Sequence, residues 1–192
     1  MELANISLLT VCGVEELVQH SDRGVTHVLS ILDPDWPDPT FEGFDRHHRV
    51  TLRFHDAIVQ QAGLVLPTRQ NMEAVLAFGR AMEASAKGRD DNHLLVHCHA
   101  GISRSTAAMV TLIAQAHPER DEDGILEQIV AIRPKAWPNS VMIGFADDML
   151  GRKGRMLEAL GRLYRRQLQT FPHVGEYMRL NGRAREVEMA GA

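Results

Sequence analysis

From Ser103 to His117 the chain is apolar or small almost all the way round, through Ala107, Ala108, Met109, Val110, Leu112, Ile113, Ala114 and Ala116. A helix with that surface has no face to give to water, so it has to be enclosed on every side. Pro118 stops it. At 192 residues the chain has the length for one domain with a substantial core around such a helix. Four short apolar runs read as strands, over residues 6–11, 26–32, 48–54 and 93–97. Helical patterns separate them. One is short, 14–20; another, 68–87, keeps Met72, Val75, Leu76 and Met82 on one face, with Gly88 placed to end it. Strands alternating with helices predict an α/β fold: a central parallel or mixed sheet of about four to five strands, flanked by helices.

The second half of the chain reads as helical. Asp121 is placed to cap a helix that turns Ile125, Ile129 and Ile132 inward and closes before Pro134. Further helices are expected over 142–150, 155–169 and 173–187. The stretch 33–47 (DPDWPDPTFEGFDRH) holds three prolines without periodicity and is a long loop, a common place for function.

The net charge of −4 conceals an asymmetry. Residues 1–150 carry 12 Lys and Arg against 21 Asp and Glu, whereas residues 151–185 carry 9 against 2. A basic C-terminal helix would steer anions or touch a partner, but without interleaved aromatics it reads as a solvated face rather than a nucleic-acid surface. No apolar run is long enough for a membrane span, and the first residues lack the pattern of a secretory signal, so a cytoplasmic protein is expected. Cys12 and Cys98 are too few for a disulfide framework.

The chemistry concentrates in 92–109, NHLLVHCHAGISRSTAAM. An apolar strand runs into Cys98, a loop with Gly101 follows, Arg104 stands six residues after the cysteine, and the enclosed helix begins. Backbone N–H groups of such a loop, curled at a helix N-terminus, form an anion nest. Gly101 permits the tight turn, and the planar fork of Arg104 suits two phosphate oxygens. The same positive field lowers a cysteine's pKa to about 3.5–7.5 and makes its thiolate a nucleophile in line with a bound phosphate. A free cysteine at a strand end is by default a small buried hydrophobe, but that reading does not explain Gly101, Arg104, Ser105 and the helix start arriving together.

Residues 97–106, HCHAGISRST, resemble the signature loop of the cysteine-based tyrosine and dual-specificity phosphatases, nearer the dual-specificity branch. A second motif, RPKAWPN at 133–139, is similar to the segment that supports that loop. The resemblance spans residues 6–150, which would form the phosphatase domain, with 151–192 a helical extension packed on or following it. It implies that Cys98 is the nucleophile and that Arg104, with the amides of His99, Ala100, Gly101, Ile102 and Ser103, holds the phosphoryl group. Ser105 would donate to the sulfur, His97 would orient the loop, and Asn139 would brace it. Asp56, in LRFHDAI, would be the general acid, although 42 positions separate it from Cys98, more than the family's thirty-odd; an insertion around 60–68 would account for the difference. The geometry agrees, because Asp56 and Cys98 follow strands whose carboxyl ends share one edge, while Asp90 and Asp91 precede the catalytic strand. Some relatives protect their nucleophile by a reversible disulfide, a part open to Cys12; a buried strand cysteine is the plainer reading.

No metal or other cofactor is expected. His47, His48, His55, His97 and His99 lack ligand spacing, and the consecutive residues His97, Cys98 and His99 point to alternating sides. Trp36 has two readings, pocket border or core and rim packing. The expected partner is a phosphorylated protein or small phosphomonoester, with no reading of oligomeric state. Phosphotyrosine needs a deep slot and phosphoserine or phosphothreonine a shallow one, and the depth depends on 33–47. Residues 99–103 contain no lysine, which lends no particular support to a highly phosphorylated inositol. Rhodanese and arsenate-reductase-type enzymes also set a cysteine in an anion loop, but they would not call for an acid at Asp56 or a brace at Pro138–Asn139. A phosphate-binding module without activity would usually have lost the cysteine or the arginine.

Overall fold

The computed structural model describes residues 8–86 and 92–191. Four strands, β1 (Leu8–Gly13), β2 (His27–Leu32), β3 (His48–Arg53) and β4 (His93–Cys98), form one sheet in the order β1-β4-β2-β3. Every pairing is parallel. The expected strand 6–11 is found as β1, shifted toward Gly13, and residues 6 and 7 lie outside the described residues. Central β2 and β4 are buried at all six positions, as unbroken apolar runs in a parallel sheet should be. Edge strand β3 instead carries Arg49 and Arg53 on its half-exposed length, charges that discourage pairing with another chain.

The enclosed helix is α2 (Arg104–Ala116), buried from Arg104 through Ala114. Its threonines are satisfied locally: Thr106 Oγ1 donates to the Ile102 carbonyl at 2.6 Å, and Thr111 Oγ1 to the Ala107 carbonyl at 2.8 Å. Around it pack α1 (Arg69–Ala86), α3 (Glu122–Ile132) and α4 (Ser140–Met149), and α5 (Arg155–Thr170) packs on α3 and α4. The Asp121 carboxylate caps α3 by accepting from the Gly124 N–H at 2.7 Å. The end of the expected helix 68–87, at Lys87 and Gly88, lies outside the described residues, as do Asp90 and Asp91. Between β3 and α1, where the sequence suggests extra length, the chain has neither helix nor strand.

Two helical expectations change. Residues 14–20 form a 3₁₀ helix, Val14–His20. The single helix expected over 173–187 is two, α6 (His173–Leu180) and α7 (Ala184–Met189). The break falls at Gly182, whose φ of +73° lies in the left-handed region that glycine occupies without steric cost. It turns Arg183 inward, where the residue is 5 % exposed.

The basic segment is not simply a solvated face. Arg155, Arg162 and Arg166 of α5 pair with Glu122, Asp123 and Glu127 of α3 at 3.0, 2.7 and 3.5 Å. The other side of α5 buries Met156, Leu160, Leu163 and Tyr164 in the same core as the sheet and α2. Tyr164 stacks on Trp137, ring centroids 4.3 Å apart, and its hydroxyl donates to the Pro138 carbonyl. No helix among the described residues is long and apolar enough to cross a membrane.

Candidate active site

Cys98 closes β4, and the loop from His99 to Ser103 leads directly into α2. The loop is anchored through its carbonyls. That of His99 accepts from the Val14 N–H at 3.0 Å, and that of Ala100 from Arg133 Nη2 at 2.8 Å. Those of Ile102 and Ser103 accept from the Trp137 and Asn139 N–H groups at 2.9 and 3.4 Å. The segment 133–139 therefore grips the loop from outside. Gly101, at φ +68°, lies against the end of β1, where a Cβ would come within 2.4 Å of the Cys12 carbonyl carbon. No larger residue fits there without moving the backbone.

Behind the nucleophile candidate, Ser105 Oγ stands 3.2 Å from Cys98 Sγ, and both are buried. Arg104 is 3 % exposed; its Nη1 donates to Asp33 Oδ1 and to the Phe54 carbonyl, each at 2.6 Å. Arg104 Nε is buried with no hydrogen-bond partner. His97 is on the other side of β4, its Nε2 2.7 Å from Ser30 Oγ, and burial pushes its pKa down to about 4. His99 packs on Trp36 at 4.2 Å between ring centroids and faces Asp33 at 3.6 Å, so Trp36 borders the site through His99.

Asp56 stands across the loop from Arg104. Its Oδ1 accepts from Ser103 Oγ at 2.7 Å and Asn139 Nδ2 at 2.9 Å, and its Oδ2 from Arg183 Nη1 at 3.0 Å. Burial works to raise the Asp56 carboxyl, but Arg183, Arg104, Asn139 and Ser103 outweigh it and hold the group below its ordinary range. Asn139 serves both sides: its Oδ1 caps α4 by accepting from the Val141 and Met142 N–H groups. Arg183 is fixed by Glu186, which is wholly buried and accepts from Arg183 Nε and Nη2 at 2.7 and 2.9 Å. Glu186 also accepts from Trp137 Nε1 at 2.7 Å and the Ser140 N–H at 2.8 Å.

These side chains surround a cavity of about 290 Å³ whose wall includes Asp56, Cys98, residues 99, 100 and 102–104, and Tyr177, Met178, Asn181 and Arg183. A larger cavity, about 590 Å³, opens at the opposite end of the sheet beside His27, His47 and His48 and is lined by no cysteine. The structure thus brings Cys98, Arg104, Ser105, Asp56 and Asn139 together and leaves His47 and His48 away from them. Among the described residues no three His, Cys, Asp or Glu side chains gather as a metal site would require. Cys12 pairs with His97 across β1 and β4 and belongs to the core on that face, whereas Cys98 packs with α2 on the other. A disulfide between them would need the strands to move. Burial pushes the Cys12 thiol up to about 12.

Sequence reasoning missed Asp33, Arg183 and Glu186. Asp33 follows β2 at the same sheet edge as Cys98 and Asp56, a placement visible once the strands are set. Nothing local marks Arg183, which meets Asp56 across 127 positions of chain.

The fold is that of the dual-specificity and tyrosine phosphatases. Human DUSP28 superposes with a TM-score of 0.54 at 18% identity, over 76% of this chain and 95% of that one. The human tyrosine phosphatase-like serine/threonine/tyrosine-interacting protein gives 0.55 at 17%, over 79% and 95%. PTPMT1 in complex with PI(5)P gives 0.52 at 17%, over 79% and 97%. At these identities the likeness is one of fold. No family model and no curated protein matches the chain.

Proposed function

We propose that this protein is a cysteine-dependent protein phosphatase, acting on phosphotyrosine and also on phosphoserine or phosphothreonine through a phosphocysteine intermediate. The observation that carries the reading is the loop itself. Its carbonyls are tied outward to Val14, Arg133, Trp137 and Asn139, which leaves the amides to form an anion nest over Cys98, and Arg104, whose buried Nε has no hydrogen-bond partner, lines the same cavity. A bound phosphate oxygen would relieve the cost of that unpaired donor.

In the first step Cys98 Sγ attacks phosphorus, the bond to the ester oxygen breaks, and protonated Asp56 gives its proton to the leaving oxygen. In the second, water attacks the phosphocysteine, Asp56 takes the water's proton, and the S–P electron pair returns to sulfur. Ser105, 3.2 Å away, supports the departing thiolate by a hydrogen bond. Arg104 and the amides spread the charge of both transition states. Asp56 and Asn139 at the loop favour this chemistry over a rhodanese or arsenate-reductase type, which uses neither. Hydrolysis of a phosphoinositide is the alternative favoured by likeness to PTPMT1, whose structure holds PI(5)P, although residues 99–103 carry no lysine.

The test is Cys98→Ser. It should lose nearly all turnover of an aryl phosphate while still binding phosphate or substrate, because a neutral hydroxyl lacks the thiolate's nucleophilicity. Cys12→Ser should stay active. Acid-quenched wild-type enzyme should carry one phosphoryl group on the peptide containing Cys98, and turnover surviving in the serine variant would refute the mechanism. Parallel rates on phosphopeptides and a phosphoinositide decide between the substrate classes.

A further inference from the structure

The break between α6 and α7 delivers a guanidinium to the group assigned here as the acid, and the delivery is built rather than incidental. Glu186 holds two nitrogens of Arg183 from behind, and Trp137 Nε1 and the Ser140 N–H hold Glu186 in turn. Arg183 then has one direction left for Nη1, toward Asp56 Oδ2 at 3.0 Å and Ser103 Oγ at 2.9 Å. We propose that Arg183 is a positioning residue that holds Asp56 over the phosphate loop as a carboxylate, and so sets the pH range in which Asp56 can supply a proton. The proposal rests on the reading of Asp56 as the general acid.

The physical argument is one of competition. A carboxyl acts as an acid only while it carries its proton, and a fixed cation at hydrogen-bond distance favours the form without it. The groups around Asp56 come from every neighbouring element: Arg183 from the α6–α7 turn, Arg104 from the start of α2, and the neutral donors Ser103 and Asn139. His99 of the loop and Tyr164 of α5 also feel its charge, and burial keeps Tyr164 in its neutral form. Of the two cations, Arg104 turns Nη1 to Asp33 and the Phe54 carbonyl, so the direct ion pair with Asp56 is made by Arg183. The C-terminal helices thereby enter the catalytic cycle without touching phosphorus. A substrate arriving as the singly protonated phosphomonoester would bring the missing proton with it, since that ester's second pKa is about 6.

The experiment compares full-length wild type, Arg183→Gln and Arg183→Lys on phenyl phosphate, which needs an acid, and on 4-nitrophenyl phosphate, which hardly does. In Arg183→Gln the high-pH limb for phenyl phosphate should move up by about one unit, so that at pH 6 its rate relative to the nitrophenyl ester rises about tenfold. Arg183→Lys should keep the limb near wild type. A carbon-NMR titration of aspartate-labelled protein, with the Asp56 signal identified by its loss in Asp56→Asn, reads the carboxyl without turnover. Wild-type Asp56 should titrate below the ordinary value of about 3.9, and higher in Arg183→Gln. Should Arg183→Gln fail to fold, with Glu186 left buried beside fewer donors, the wild-type titration and Arg183→Lys decide. A wild-type Asp56 titrating at or above its ordinary value overturns the proposal. A carboxyl that moves while the phenyl phosphate limb stays fixed overturns the assignment of Asp56 as the acid, and the two failures are thus distinct.

Discussion

Gly101 shows how little freedom one residue of this site has. Its positive φ and the Cys12 backbone beneath it are independent constraints, and alanine violates both. An alanine in the left-handed region costs about 1–2 kcal/mol, and the 2.4 Å approach adds a displacement of β1 or of the loop. Gly101→Ala should therefore fold with reduced stability and lose activity disproportionately. The comparison to make is kcat on an aryl phosphate against the urea midpoint: a stable variant with wild-type kcat would show that the loop tolerates the shift. Cys98, Arg104 and Ser105 were legible in the sequence because their chemistry is compressed into one loop. Asp56 was legible only through its place after β3. Arg183 was not, because its role comes from contacts made by folding and not from any local spacing.

At the scale of elements, legibility followed burial. Strands β2 and β4 and helix α2 are enclosed, and an enclosed element has a composition that says so. The break between α6 and α7 was hidden because residues on both sides keep helical character, and Gly182 becomes a hinge only when Glu186 draws Arg183 inward. The same network shows what α5 does. Trp137 lies between the loop and α5, its N–H holding Ile102, its ring on Tyr164 and its indole nitrogen on Glu186. Trp137→Ala should cost about 3–5 kcal/mol, the range for truncating a buried aromatic, measured by chemical denaturation. It should also loosen the loop, so phosphate affinity should fall in protein that remains folded. A loss under about 1 kcal/mol would mean that α5 is held mainly by its other contacts.

For the whole molecule, part of the charge asymmetry of the sequence is balanced within the fold, with the basic α5 laid along the acidic face of α3. Stability should nevertheless depend on pH through the interior. His97 has a folded pKa near 4, lowered by burial, against about 6.5 when unfolded. Between those values the unfolded chain binds the extra proton, so stability falls as pH drops from about 6.5 toward 4, by about 3 kcal/mol from this residue. Asp56 continues the trend at lower pH: its depressed carboxyl contributes stability above the unfolded value of about 3.9 and loses it as pH falls toward the folded one. Thermal unfolding followed from pH 7 to 4 should show a falling Tm, and His97→Gln should flatten the slope. An unchanged slope would assign the acid sensitivity to other groups.

Trp36 and Trp137 are the chain's two indoles, and they stand in opposite settings. The first is 43 % exposed and packs on His99, a residue of the cavity wall; the second is 2 % exposed beneath the loop, tied to the carboxylate that anchors Arg183. Indole emission shifts to the red in water and to the blue in an apolar surround, so the molecule contains its own pair of optical reporters. Light from the water-facing ring would register an occupant entering beside His99. Light from the enclosed ring would register the C-terminal helices letting go, and a stopped-flow trace at two wavelengths would separate arrival from release with no label attached.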